Sequence, residues 1–174
     1  MSGLVISTLP LVYFMMKLSA DPHVFFWHYL CTIVLASVYI SIGIFFSYAS
    51  PTFEVAQAIV QILAPLFFLF GGMWSPPSQM PAGSKWFTYI DPITYAFKAI
   101  IPIHFWCDAG AACPTVLVPS TRGLVQQDRY AYISEKYEIY YGQRWESLGY
   151  LALFFVAFQL LSFVAVARCR HIKR

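Results

Sequence analysis

The sequence predicts an all-α membrane protein with about four transmembrane helices and short re-entrant helices on its outer side. Three observations carry this. The 174 residues are 59% hydrophobic and 11% charged, with mean hydropathy +0.62. Soluble domains are about 25% charged, and a soluble chain of this size could not hide so much apolar surface. Charge-free windows of spanning length recur along the chain, and a segment dense in Trp, Tyr and Pro lies before the last of them. The formal charge of +3 is small and dispersed, which leaves no footprint for nucleic acid.

A spanning helix needs roughly 20 mostly apolar residues. Residues 3–16 are charge-free but short and contain Pro10, and read as a clipped or broken span. A signal peptide is the competing reading; the missing basic n-region and cleavage site stand against it. Residues 24–48 form the second span, with His28 near one end in an interfacial position. Residues 55–74 form the third. Glu54 sits at its start, where a carboxylate suits the positive end of the helix dipole. Gln57 and Gln61 share a face, and Pro65 removes a backbone donor. Residues 147–167 form the last span, followed by Arg168, Arg170, Lys173 and Arg174.

That basic cluster fits a cytoplasmic C-terminus. Residues 75–146 then lie outside, the turn at 49–53 inside, and the turn at 17–23 outside. The external stretch KWFTYIDPITYAFKAIIPIHFW is too interrupted to span. It reads as two short helices dipping into the outer leaflet, near Lys85–Ile90 and Pro92–Ile101. Residues 107–129 read as loop, and Tyr130–Tyr141 as a helix leading to the last span. Cys107 and Cys113 share this polar region and are the pair suited to a disulfide, on the oxidising side. The chain contains no asparagine and hence no N-glycosylation site.

No phosphate loop, H-E-x-x-H, G-x-S-x-G or C-x-x-C motif occurs. No catalytic residue and no metal site are expected. His104, beside Trp106, Cys107 and Asp108, could be drawn as a metal cluster, but a surface turn near the disulfide is the favoured reading. Charged side chains are essentially missing from the spans, which disfavours an ion-coupled relay and allows a path for apolar molecules.

The stretch TFEVAQAIVQILAPLFFLFGGMWSPPSQMPAGSKWFTYIDPITYAFKAI resembles the fifth membrane helix and following external hairpin of G-subfamily ABC exporters. It is most similar to the full-length pleiotropic drug resistance type of fungi, oomycetes and plants. Shared features are the apolar helix, the small pair Gly71-Gly72, the bulky pair Met73-Trp74, the Pro-rich exit, and then Lys85-Trp86, Tyr89, Asp91-Pro92 and Tyr95. The stretch RWESLGYLALFFVAFQLLSFVAVARCRHIKR resembles the final helix and end of those proteins, so the resemblance covers nearly all the chain. Against the family pattern, the nucleotide-binding domain and the first two membrane helices are missing, and Leu9-Pro10 resembles a site within the third. The resemblance thus implies a fragment of an exporter membrane domain: a truncated product, a split gene or a remnant.

The resemblance also implies a mechanism. Two membrane halves enclose a cavity, ATP and Mg act at nucleotide-binding domains elsewhere, and a hydrophobic molecule leaves outward. On matching positions Gln61, Pro65 and Phe68 face the substrate path, Met73 and Trp74 form a valve, and Gly71 and Gly72 supply packing or hinge freedom. The external segment from Trp86 to Phe105 forms a roof. The implied partners are lipid, a hydrophobic small molecule, the other membrane half and the nucleotide-binding domains. The implied location is the plasma membrane. Read without the resemblance, Phe68 meets lipid and Gln61 bonds a neighbouring helix. The alternative function is a truncated, non-transporting membrane interaction protein.

Overall fold

The computed structural model describes residues 2–18, 21–74, 76–81, 83–106, 115–120 and 123–168. Cys107, Cys113, Asp108, Cys169 and the tail beyond Arg168 fall outside the described residues, and the expected disulfide falls there with them. Apolar sequence without water forces backbone groups to pair within each segment, so helices dominate. In order they are α1 (Ser2–Met15), α2 (Pro22–Ala49), α3 (Phe53–Phe70), α4 (Lys85–Ile90), α5 (Pro92–Phe105), α6 (Arg129–Tyr137) and α7 (Arg144–Arg168). Of these, α2, α3 and α7 are long and apolar enough to cross a membrane. Helix α1 has 14 residues, a rise of about 21 Å against a hydrocarbon core of about 30 Å.

The helix starts follow from local chemistry. Pro22 and Pro92 occupy first-turn positions, where the missing N–H costs nothing. Thr52 accepts from the Val55 N–H at the start of α3. The Asp91 carboxylate accepts from the Ile93 N–H at 2.9 Å and caps α5.

Helix α2 is the spine, touching α1, α3, α5 and α7. At one end Trp27 and Cys31 pack on Ala99 and Ile103 of α5. The indole of Trp27 also donates to the Ala99 carbonyl at 2.8 Å. Toward the other end Val38 and Ile42 pack on Phe67 of α3, with Phe154, Phe155 and Phe158 of α7 closing the cluster. Small residues sit at the tightest contacts: Ala99, Ser41, Ser147, Ser162 and Ala165 are all buried. Lipid offers no hydrophobic drive between helices, so such close approach is what holds them together. The hydroxyls of Ser41 and Ser162 stay satisfied. Ser41 donates to the Ser37 carbonyl, Ser162 to that of Phe158, and the Gln159 amide reaches across to Ser41 Oγ at 3.2 Å.

The structure corrects four expectations of the sequence. Helix α3 ends at Phe70 rather than at Trp74, because Gly72 takes a left-handed conformation (φ 85°). The second external helix runs past Ile101 to Phe105, with Pro102 accommodated inside it. The helix expected to reach Tyr141 stops at Tyr137, capped by Glu138 at φ 55°. Part of the stretch read as loop is a β-hairpin, β1 (Thr115–Ser120) against β2 (Gly123–Asp128), with Val118 opposite Val125.

Ala99 is fully buried between Trp27 and Cys31. Ala99→Leu should therefore lower thermal stability in detergent by about 1–3 kcal/mol through overpacking. Val164→Ala, on the exposed face of α7, should leave the melting temperature within experimental scatter.

Candidate functional site

Helix α3 packs with one side only. Ala56, Leu63 and Phe67 face the bundle. At about 100° per residue, Gln61, Pro65 and Phe68 lie about 120–180° around the helix from Ala56. All three are exposed, Phe68 to 48%. Pro65 has no N–H for the Gln61 carbonyl four residues earlier. The open face therefore carries a polar spot, that carbonyl with the Gln61 amide, inside an apolar stripe.

The end of α3 is shaped by two glycines with different duties. Gly71 is buried, and a Cβ there would stand 2.5 Å from Ile93 Cγ2 and 2.9 Å from the Phe67 carbonyl oxygen. It lets α5 approach. Gly72 is also buried, but a Cβ there would meet only Pro77 Cδ, at 4.0 Å; its constraint is φ 85°, a conformation L side chains rarely adopt. It turns the chain out of the helix. Met73 and Trp74 follow, 54% and 67% exposed. The Trp74 ring meets that of Phe68 edge-on, centroids 6.3 Å apart. The structure thus brings together Phe68, expected on a substrate path, and Trp74, expected in a valve, with Pro65 and Gln61 on the same side of α3. Beyond them α4 is latched down by Phe87, whose ring lies 4.8 Å from that of Phe70.

Sequence reasoning missed three features here. Ile93 is the partner that makes Gly71 necessary. Asp91, seen only as part of an Asp-Pro pair, is fully buried, and its Oδ2 has no hydrogen-bond partner. Burial pushes its carboxyl from the ordinary 3.8 up to about 7, against the opposing pull of the Ile93 N–H. Finally, His104 is no surface turn. It lies half-buried in α5, its Nε2 3.0 Å from Nδ1 of His28.

The described residues thus hold three long apolar helices, two short helices of which α5 is capped by Asp91, and one face of α3 left uncovered. Residues 2–105 match the family described as ABC-2 type transporter, to which the chain belongs, and residues 108–174 match that described as CDR ABC transporter. It is 27% identical over 172 residues to ABC transporter G family member 1 of Dictyostelium discoideum, covering 91% of this chain and 20% of that protein. It is 28% identical over 171 residues to ABC multidrug transporter atrI of Aspergillus fumigatus, covering 89% and 12%. Multidrug resistance protein CDR2 of Candida albicans is 25% identical over 167 residues, covering 84% and 11%. The chain therefore spans between about a tenth and a fifth of the length of these relatives. The apolar helices and the family together make it an integral membrane protein.

Two predictions follow from the geometry. Gly71→Ala should destabilise, and Ile93→Ala should partly rescue it. Gly72→Ala should cost about 1–2 kcal/mol, and Ile93→Ala should not rescue it; a double-mutant cycle on melting temperature separates the cases. For Asp91, the folded form keeps its proton up to about pH 7, whereas the unfolded form loses it near 3.9. The contribution is complete below about 3.9, is lost as pH rises from there to about 7, and is flat above. Asp91→Asn keeps the cap without the charge, so its melting temperature should exceed the parent's at pH 8 and match it only below about pH 4.

Proposed function

We propose that the chain forms part of the membrane pathway of an ATP-driven exporter of hydrophobic small molecules. The uncovered face of α3, opposite the side that packs on α2, carries this reading. A mostly apolar surface with a few fixed polar groups suits a hydrophobic cargo, and Gln61 with the carbonyl freed by Pro65 supplies those groups. Phe68 continues the surface toward Trp74, and Met73 and Trp74 stand at the outlet as a valve. The flexible backbone at Gly72 lets that pair move, while Gly71 keeps the helix end seated on α5. Helices α4 and α5 roof the outlet.

The chain has no phosphate-binding loop, so ATP and Mg act at nucleotide-binding domains elsewhere in the assembly. A second membrane half supplies the facing wall. The names of two of the relatives, a multidrug transporter and a multidrug resistance protein, support xenobiotics as the cargo class. The basic residues after α7 support a cytoplasmic C-terminus, and the exporter role supports a plasma-membrane location.

In the assembled transporter, Trp74→Ala should change efflux of a fluorescent hydrophobic compound, or basal ATPase coupling, several-fold while membrane insertion stays intact. Phe163→Ala, on the most exposed part of α7 (75%), should leave both unchanged. Equal kinetics for Trp74→Ala and the parent would remove the valve role.

A further inference from the structure

We propose that His28 of α2 and His104 of α5 are the two protein ligands of a divalent transition-metal site that ties these helices together. Nδ1 of His28 and Nε2 of His104 lie 3.0 Å apart, although the residues are 76 positions apart in sequence. Two imidazole nitrogens facing each other can share only one proton, so at least one presents a lone pair to the gap. A metal ion in place of that proton would be bound by both rings.

The dimensions fit. Zinc–nitrogen bonds of about 2.0–2.1 Å at a tetrahedral angle put two ligand nitrogens about 3.3 Å apart. The ring nitrogens need to separate by about 0.3 Å, and the rings, now nearly head-on with centroids 5.2 Å apart, need to tilt so that both lone pairs converge on the ion. Their positions are fixed from three sides. Tyr13 of α1 packs edge-on against His28, centroids 5.2 Å apart, and lies 6.0 Å from His104. One residue before His28, Trp27 is hydrogen-bonded to Ala99 of α5, which sets the register of the two helices. One residue before His104, Ile103 is buried in the same cluster.

The chemistry selects the ion class. Neutral imidazole suits zinc, copper and nickel, whereas magnesium and calcium prefer oxygen. Among the described residues no third His, Cys, Asp or Glu joins the pair. Water therefore completes the shell, and affinity falls short of a four-ligand structural site. Occupancy would link the spine helix to the end of the roof and stiffen that junction.

The test is titration of the full chain in lipid nanodiscs with Zn²⁺, followed by calorimetry and melting. Saturable binding of one ion per chain and a raised melting temperature are expected, with no response to Mg²⁺. His28→Gln and His104→Gln should each weaken binding at least about tenfold and abolish the thermal shift. Because those variants could also perturb folding, the zinc X-ray absorption edge of the unsubstituted chain is the second reading. It should show imidazole nitrogen and oxygen neighbours. No saturable binding below about 1 mM would overturn the proposal. So would sulfur ligands in the spectrum, or unchanged binding in the double variant, which would place the ion at Cys107, Cys113, Cys169 or His171.

Discussion

The close contact between α2 and α5, where Ala99 lies under Trp27 and beside Cys31, is the constraint on which the rest of the structure depends. A membrane helix gains nothing from leaving lipid for an equally apolar neighbour, so association needs close packing and buried hydrogen bonds. Both are present here: a residue no larger than alanine, and an indole N–H donating to a backbone carbonyl. With α5 held in this way, Asp91 caps its first turn, and Ile93 lies where it fills the space left by Gly71. The end of α3 is seated by that last contact. The face of α3 that carries Gln61, Pro65 and Phe68 is open because its opposite side is already occupied by this chain of contacts.

Much of this was legible in the sequence, for physical reasons. Charge-free windows located α2, α3 and α7, since lipid tolerates few charges. The Asp91-Pro92 pair announced the start of α5, because an acceptor and a preset φ both favour a first turn. That Gln61, Pro65 and Phe68 share one face of α3 followed from their spacing by four and three, whereas the role expected of that face came only from the resemblance. Other features depend on partners far away in sequence. Nothing local to Gly71 names Ile93, and nothing local to His28 names His104. The end of α3 was misplaced because Met73 and Trp74 are apolar enough to continue a span, and only the conformation at Gly72 stops it. A signal for the β-hairpin was present in Val116 and Val118, which alternate along the strand, but Pro119 and the polar Gln126-Gln127 pair masked it.

The two glycines show how one short motif serves packing and path at once. Replacing the helix terminus by a longer helix would carry Met73 and Trp74 along the α3 axis. The left-handed turn at Gly72 instead places Trp74 beside Phe68, so the aromatic surface of α3 continues past the helix end. Asp91, two residues before the Ile93 that meets Gly71, is buried and incompletely paired. A fully satisfied apolar residue would be more stable there, but it would not cap α5. Together these local devices leave α3 fixed where it packs and open on its other face, the face proposed to meet a cargo.

The central claim is that the uncovered face of α3 meets the transported molecule. The most direct measurement places a photo-reactive amino acid at single positions of α3 in the assembled transporter and irradiates during export of a hydrophobic compound. The account predicts that cargo is captured at positions 61 and 68, and not at 56 or 67, which face the bundle, or at 163, which lies on the exposed side of α7. Equal capture at 163 and 68, or capture at 163 alone, would contradict it and return the open face of α3 to the lipid.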